Sequence, residues 1–109
     1  MSDQDHSIFK EIVYDLETVK RHIAIIKTLL REQPAGIIKM AKETNIPEHK
    51  IRYSLRILEK EGVISPSREG AILTPEFIEN RDAIMNSAKL VLDEMEGIYS
   101  DLKSTLAKK

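Results

Sequence analysis

The chain has 109 residues, 41% hydrophobic and 32% charged, with 4 glycines, 4 prolines and no cysteine. That length builds one modest core, and the composition excludes a disordered or membrane-embedded chain along with disulfides, iron–sulfur ligation, cysteine zinc fingers and thiol chemistry. A formal net charge of -1 hides an uneven distribution: residues 34–70 carry seven Lys/Arg (Lys39, Lys42, Lys50, Arg52, Arg56, Lys60, Arg68) against five acids, while the segments on either side are net acidic. A polyanionic partner is therefore expected at the centre. The longest apolar run, Ile23-Ala24-Ile25-Ile26, is far short of a bilayer span, and the polar start MSDQDHS lacks the form of a signal peptide. A soluble, mostly helical, cytoplasmic protein is expected.

From Phe9 the apolar positions Phe9, Ile12, Leu16, Val19, Ile23, Ile26 and Leu30 recur at alternating steps of 3 and 4, a helical stripe with heptad character. The pattern fits one long helix or two in line, with Asp15 or Thr18 as an internal cap, and Gln33-Pro34 ends it. A short second helix, about Gly36 to Thr44, turns Ile37, Met40 and Ala41 inward, and Asn45 suits a left-handed stop. After Asn45-Ile46-Pro47 a third helix runs to about Glu61 with Ile51, Leu55 and Leu58 on one side, ended by Gly62. Two helices joined by so tight a turn form a helix-turn-helix.

Val63-Ile64-Ser65 and Ala71-Ile72-Leu73 are β-prone runs around a reversing loop, Pro66-Ser67-Arg68-Glu69-Gly70, and predict a small hairpin. Thr74-Pro75-Glu76 has the form of a helix start, and one long last helix is expected from there. Within it Ile84, Ala88, Val91, Met95, Ile98 and Leu102 form one stripe, and Met85, Leu92, Tyr99 and Leu106 an adjacent one. So broad an apolar face needs a second long helix, and a homodimer with coiled-coil character is expected. Its interface residues are Ile84, Ala88, Val91, Met95, Ile98 and Leu102, joined by Ile12, Leu16 and Val19 of the first helix. Intramolecular packing of the first and last helices in a monomer is the alternative. The domain reading is residues 1–21 as tail and dimer arm, 22–74 as the binding domain, and 75–109 as the dimerisation helix.

The third helix carries the functional signal. At about 100° per residue, with Ile51, Leu55 and Leu58 near 0°, the side chains of His49, Tyr53, Arg56 and Lys60 fall within roughly 50° of the opposite pole. Arg52 lies to one side of that pole and Lys50 farther round on the other, while Glu48, Glu59 and Glu61 lie on the flanks toward the core. A basic, hydrogen-bonding outward face suits a DNA major groove: arginine offers a fork of donors to guanine, lysine and histidine reach phosphates or base acceptors, and tyrosine bonds phosphate or meets a thymine methyl.

Residues 37–74, IIKMAKETNIPEHKIRYSLRILEKEGVISPSREGAILT, resemble the winged helix-turn-helix family of transcription regulators. The resemblance is carried by Ile51, Leu55, Leu58, Gly62, Val63 and Ile64, then a basic loop and a second strand. With His22 to Arg31 as the first helix, the whole resembles small archaeal predicted regulators, and the long flanking helices are similar to the dimer arms of the MarR and PadR groups. The implied fold is mainly α with a small β-hairpin, a winged helix-turn-helix between long terminal helices. The resemblance implies that His49, Lys50, Arg52, Tyr53 and Arg56 enter or border the major groove, with Lys60 on the same face, and that Ser67 and Arg68 at the hairpin tip touch phosphate or the minor groove. Two positions depart from the family pattern. Pro47 stands where many relatives have a Ser or Thr helix cap, and Glu69 beside Arg68 lowers the charge of the wing, so affinity is expected to rest on the helix and the dimer.

No phosphate-cradling glycine loop and no hydrolase or metalloprotease string occurs, and His6, His22 and His49 lack ligand spacing, so neither enzyme activity nor a metal or other cofactor is expected. The expected partners are double-stranded DNA and a second copy of the chain, with no membrane partner. A winged helix that contacts the transcription machinery without touching DNA is the competing reading. An architectural chromatin protein is disfavoured by the absence of strong net positive charge.

Overall fold

A computed structural model describes residues 7–107; the polar start through His6, which includes one of the three histidines, and the last two lysines lie outside the described residues. The order of elements is α1 (Lys10–Arg31), α2 (Ile37–Thr44), α3 (Glu48–Lys60), β1 (Ile64–Ser67), β2 (Gly70–Leu73), α4 (Pro75–Glu79) and α5 (Arg81–Ala107). The protein is mainly helical, with one two-stranded antiparallel sheet. It divides into two compact units, the first ending at Phe77 and the second beginning at Ile78. No helix among the described residues is long and apolar enough to cross a membrane.

The α1 helix is continuous over 22 residues, so neither Asp15 nor Thr18 caps an internal break. Its core face consists of Ile25, Thr28 and Leu29, all essentially without solvent contact. The more conspicuous heptad stripe faces the other way. Taking Ile25 as 0°, Ile12, Leu16, Val19, Ile23 and Leu30 fall at about 120–180°, and these five are 39, 48, 48, 48 and 62% exposed. The helix thus has two apolar faces, and only one is used by its own unit.

Tight local chemistry places α2 and α3. Asn45 adopts the left-handed conformation at φ 61° and ends α2, as its small polar side chain allows. Gly62, at φ 79°, ends α3, where Val63 N donates to Leu58 O at 2.9 Å and Gly62 N to Glu59 O at 3.1 Å. Ile51, Leu58, Met40, Ile64, Ala71 and Leu73 close the core with Ile25 and Leu29, and Leu55, Ala41 and Phe77 pack around it. Two ion pairs tie α1 and its end to α2, Arg31–Glu43 at 2.9 Å and Glu32–Lys39 at 2.7 Å. The hydrogen bond and the charge of Lys39 hold the Glu32 carboxyl below the usual carboxylate range.

The hairpin is longer and its loop shorter than the sequence predicts. Pairing runs Ile64↔Leu73, Ser65↔Ile72, Pro66↔Ala71 and Ser67↔Gly70, leaving Arg68 and Glu69 alone at the tip. A proline inside a strand is normally disruptive because it has no N–H to donate. Here the backbone of Ala71 bonds on its other side: Ala71 N donates to Ala35 O at 2.9 Å and Ala35 N to Ala71 O at 3.1 Å. Pro66 faces a residue that asks nothing of it, so the pairing passes through. The same bridge straps the hairpin to the α1–α2 connection, and Leu73 N donates to Gln33 Oε1 at 2.7 Å just beside it.

The expected single last helix is two. Thr74 caps α4 as read, with Phe77 N donating to Thr74 Oγ1 at 3.1 Å, but α4 stops at Glu79. Asn80 intervenes, and its carbonyl accepts from Ile84 N at 3.1 Å in the manner of a residue that starts a helix. Asparagine competes with the helical backbone in mid-helix and favours helix starts, which is the physical reason for the break. None of the 27 residues of α5 is buried.

Candidate nucleic-acid interface

The α3 helix is held by its inward face, with Ile51, Ser54 and Leu58 buried. That fixes the other face outward: His49, Lys50, Arg52, Tyr53, Arg56 and Lys60 are all exposed, Tyr53 keeping 49% of its surface. Ser67 and Arg68 are exposed at the hairpin tip, where Ser67 Oγ donates to Gly70 O at 2.6 Å. Glu59 lines a cleft with Leu55, Ile64 and Pro66 between α3 and the hairpin, which takes one of the helix's acids away from the outward pole.

The ion pairs sort the cations into two groups. Arg31, Lys39, Lys20 and Lys89 each sit beside a carboxylate. Among the described residues, Lys50, Arg52, Arg56, Lys60 and Arg68 make no such pair within 4.0 Å. Charges that are exposed and unpaired on one face keep their full attraction for an external anion, whereas a paired cation has spent part of its own.

The sequence reading did not single out Arg21 or Ser54. Arg21 Nε donates to the Oγ of fully buried Ser54 at 2.7 Å, and its guanidinium stands 5.9 Å from the centre of the Tyr53 ring. The first contact positions α1 against α3, and the second is within cation–π range. A serine in the middle of an otherwise apolar helix face is the one signal that pointed to a cross-helix polar contact. Next to Arg21, the Nδ1 of His22 is buried without a hydrogen-bond partner, and burial, then the Arg21 charge, pushes the pKa of this imidazole down.

The residues expected at a dimer interface lie on two helices. On α1, Ile12, Leu16 and Val19 form the exposed outer stripe; on α5, Ile84, Ala88, Val91 and Ile98 are exposed and Met95 and Leu102 half-buried. Among the described residues no group of three His, Cys, Asp or Glu side chains is placed to hold a metal ion. Neither a protein-family model nor a curated protein sequence matches the chain.

Proposed function

We propose that the protein is a winged helix-turn-helix regulator of transcription that binds double-stranded DNA as a homodimer. In this reading α3 enters the major groove and the β1–β2 hairpin lies on backbone or minor groove. The observation that carries it is the outer face of α3, where Lys50, Arg52, Arg56 and Lys60 stand exposed and unpaired around Tyr53 and His49. Arg52 and Arg56, planar forks suited to guanine O6 and N7, are assigned the base reading; His49, Lys50, Lys60, Ser67 and Arg68 serve the phosphates.

The dimer rests on two unsatisfied apolar faces. A 27-residue helix in which no residue is fully buried gains little stability from helical propensity alone, and five exposed aliphatic side chains at heptad spacing along α1 repeat the same demand. A second copy answers both and sets two recognition helices about one DNA turn, ~34 Å, apart, which makes the target a pseudo-palindrome. The chain has no catalytic role in this reading.

The test is binding of the Arg52→Ala/Arg56→Ala double variant to duplexes selected from mixed genomic fragments. Loss of selective binding is expected. A double variant that holds every duplex as well as the parent removes α3 from the DNA interface. Should the parent itself show no salt-dependent DNA binding, the fold serves protein contacts instead.

A further inference from the structure

A groove of about 460 Å³ runs between the N-terminal half of α1 and the turn that joins α2 to α3. Its walls carry Lys20, Arg21 and Lys50 against one acid, Glu17, which is already engaged with Lys20 at 3.6 Å. We propose that this groove seats a backbone phosphate of the bound DNA, with Arg21 of α1 and Lys50 of α3 as its ligands. The proposal rests on the DNA-binding reading and adds to it a residue from segment 1–21, which the sequence reading assigned to a dimer arm.

Arg21 is prepared for the task in three ways. Its Nε is fixed on a hydroxyl that has no solvent contact, so the guanidinium is anchored from behind. Its guanidinium stands 5.9 Å from the centre of the Tyr53 ring, within cation–π range. Its terminal nitrogens have no carboxylate within 4.0 Å among the described residues. An arginine immobilised at one end and unpaired at the other has already given up the rotamer freedom that phosphate binding costs, and it presents the bidentate geometry that phosphate takes.

The position relative to α3 fits a duplex. With the core side of α3 at 0°, Ser54 and Lys50 lie on one flank at about 60–100°, while the base readers Arg52 and Arg56 lie on the other side at about 100° and 140°. A helix lying in a major groove about 12 Å wide has a sugar–phosphate strand along each side. Arg21 and Lys50 stand where the strand on the α1 flank passes. At the same end α3 begins on Pro47 with no side-chain cap, which leaves the positive end of its dipole open to an anion.

The experiment measures binding of the full chain to sonicated mixed-sequence duplex DNA across a salt series. Each lost phosphate contact lowers the slope of log affinity against log salt by about 0.9, so Arg21→Gln flattens it by about 1.8 in a dimer. Lys50→Gln, at an exposed position, gives the same change, and Arg21→Met, which keeps the aliphatic stem without the charge, stands in if Arg21→Gln fails to fold. Arg21→Lys, which keeps the charge, restores the parental slope. If a folded Arg21 variant without the charge keeps the parental slope while the parent binds DNA, the phosphate seat is refuted and the α3 reading stands. A parent without salt-dependent binding overturns both. Inorganic phosphate at matched ionic strength is expected to act no differently from chloride; competition against the parent but not against Arg21→Gln would make the groove a free-anion site and overturn the assignment to DNA.

Discussion

Replacing Gly70 with alanine tests how the hairpin is strapped to the helices. Gly70 has φ +136°, and a Cβ there would stand 2.5 Å from Ala35 C, 2.6 Å from Ala35 O and 2.9 Å from Gly36 N, all backbone atoms that cannot swing aside. The disfavoured backbone conformation costs about 1–3 kcal/mol for a residue with a side chain. The clash adds to it by pushing the strand off Ala35, where two hydrogen bonds at 2.9 and 3.1 Å hold the bridge, each worth about 1 kcal/mol net. The expected loss is therefore about 3–5 kcal/mol, against a stability on the order of 4–11 kcal/mol for a unit of this size. In urea unfolding followed by circular dichroism, with a slope of about 1 kcal/mol per molar, the midpoint falls by about 3 M or more. Gly36→Ala is the control: Gly36 has φ -93° and ψ 177°, and nothing lies within 4 Å of its added Cβ, so the change stays below about 1 kcal/mol. A Gly70→Ala protein that unfolds at the parental midpoint refutes both the close approach and the strap.

Three other outcomes are expected. Because folding depresses the His22 pKa, the unfolded chain takes up a proton at higher pH than the native one; stability is full above about pH 6.5 and is lost as pH falls toward the folded value. Urea midpoints across that range should show the decline, and His22→Gln should flatten it; an equal decline in the variant would assign the proton elsewhere. Gly97→Ala, in an α5 position with open space around the new Cβ, should raise the thermal stability of that helix by about 0.5–1 kcal/mol, and a lower melting temperature would contradict its helical placement. Finally, the proposed dimer should be seen in sedimentation velocity with the parent and be converted to monomers by Val91→Asp with Ile98→Asp; if it survives, Leu16→Asp with Val19→Asp should dissolve it and so place the interface on α1, and a monomeric parent refutes the dimer.

The elements whose boundaries rest on local backbone preference were legible in the residues alone. Asn45 and Gly62 stop α2 and α3 because few other side chains tolerate a left-handed backbone, and Thr74-Pro75 starts a helix because capping and a preset φ act within four residues. Helical periodicity likewise turned Tyr53 and Arg56 outward once Ile51 and Leu58 were assigned to the core. What depended on distant partners was not legible. The strand passes through Pro66 only because Ala35, far away in the chain, takes the hydrogen bonds of Ala71; the α1 stripe with the strongest heptad signal faces outward because Ile25, Thr28 and Leu29 meet the core instead. Arg21 joined the candidate interface for the same reason. Its role comes from Ser54, 33 positions later, and a hydrogen bond across that separation leaves no periodic trace in either helix. Propensity and periodicity act over a few neighbouring residues, so they settle where helices begin, end and turn their faces; which face meets which, and which charge is left free, is decided by contacts that exist only once the chain has folded.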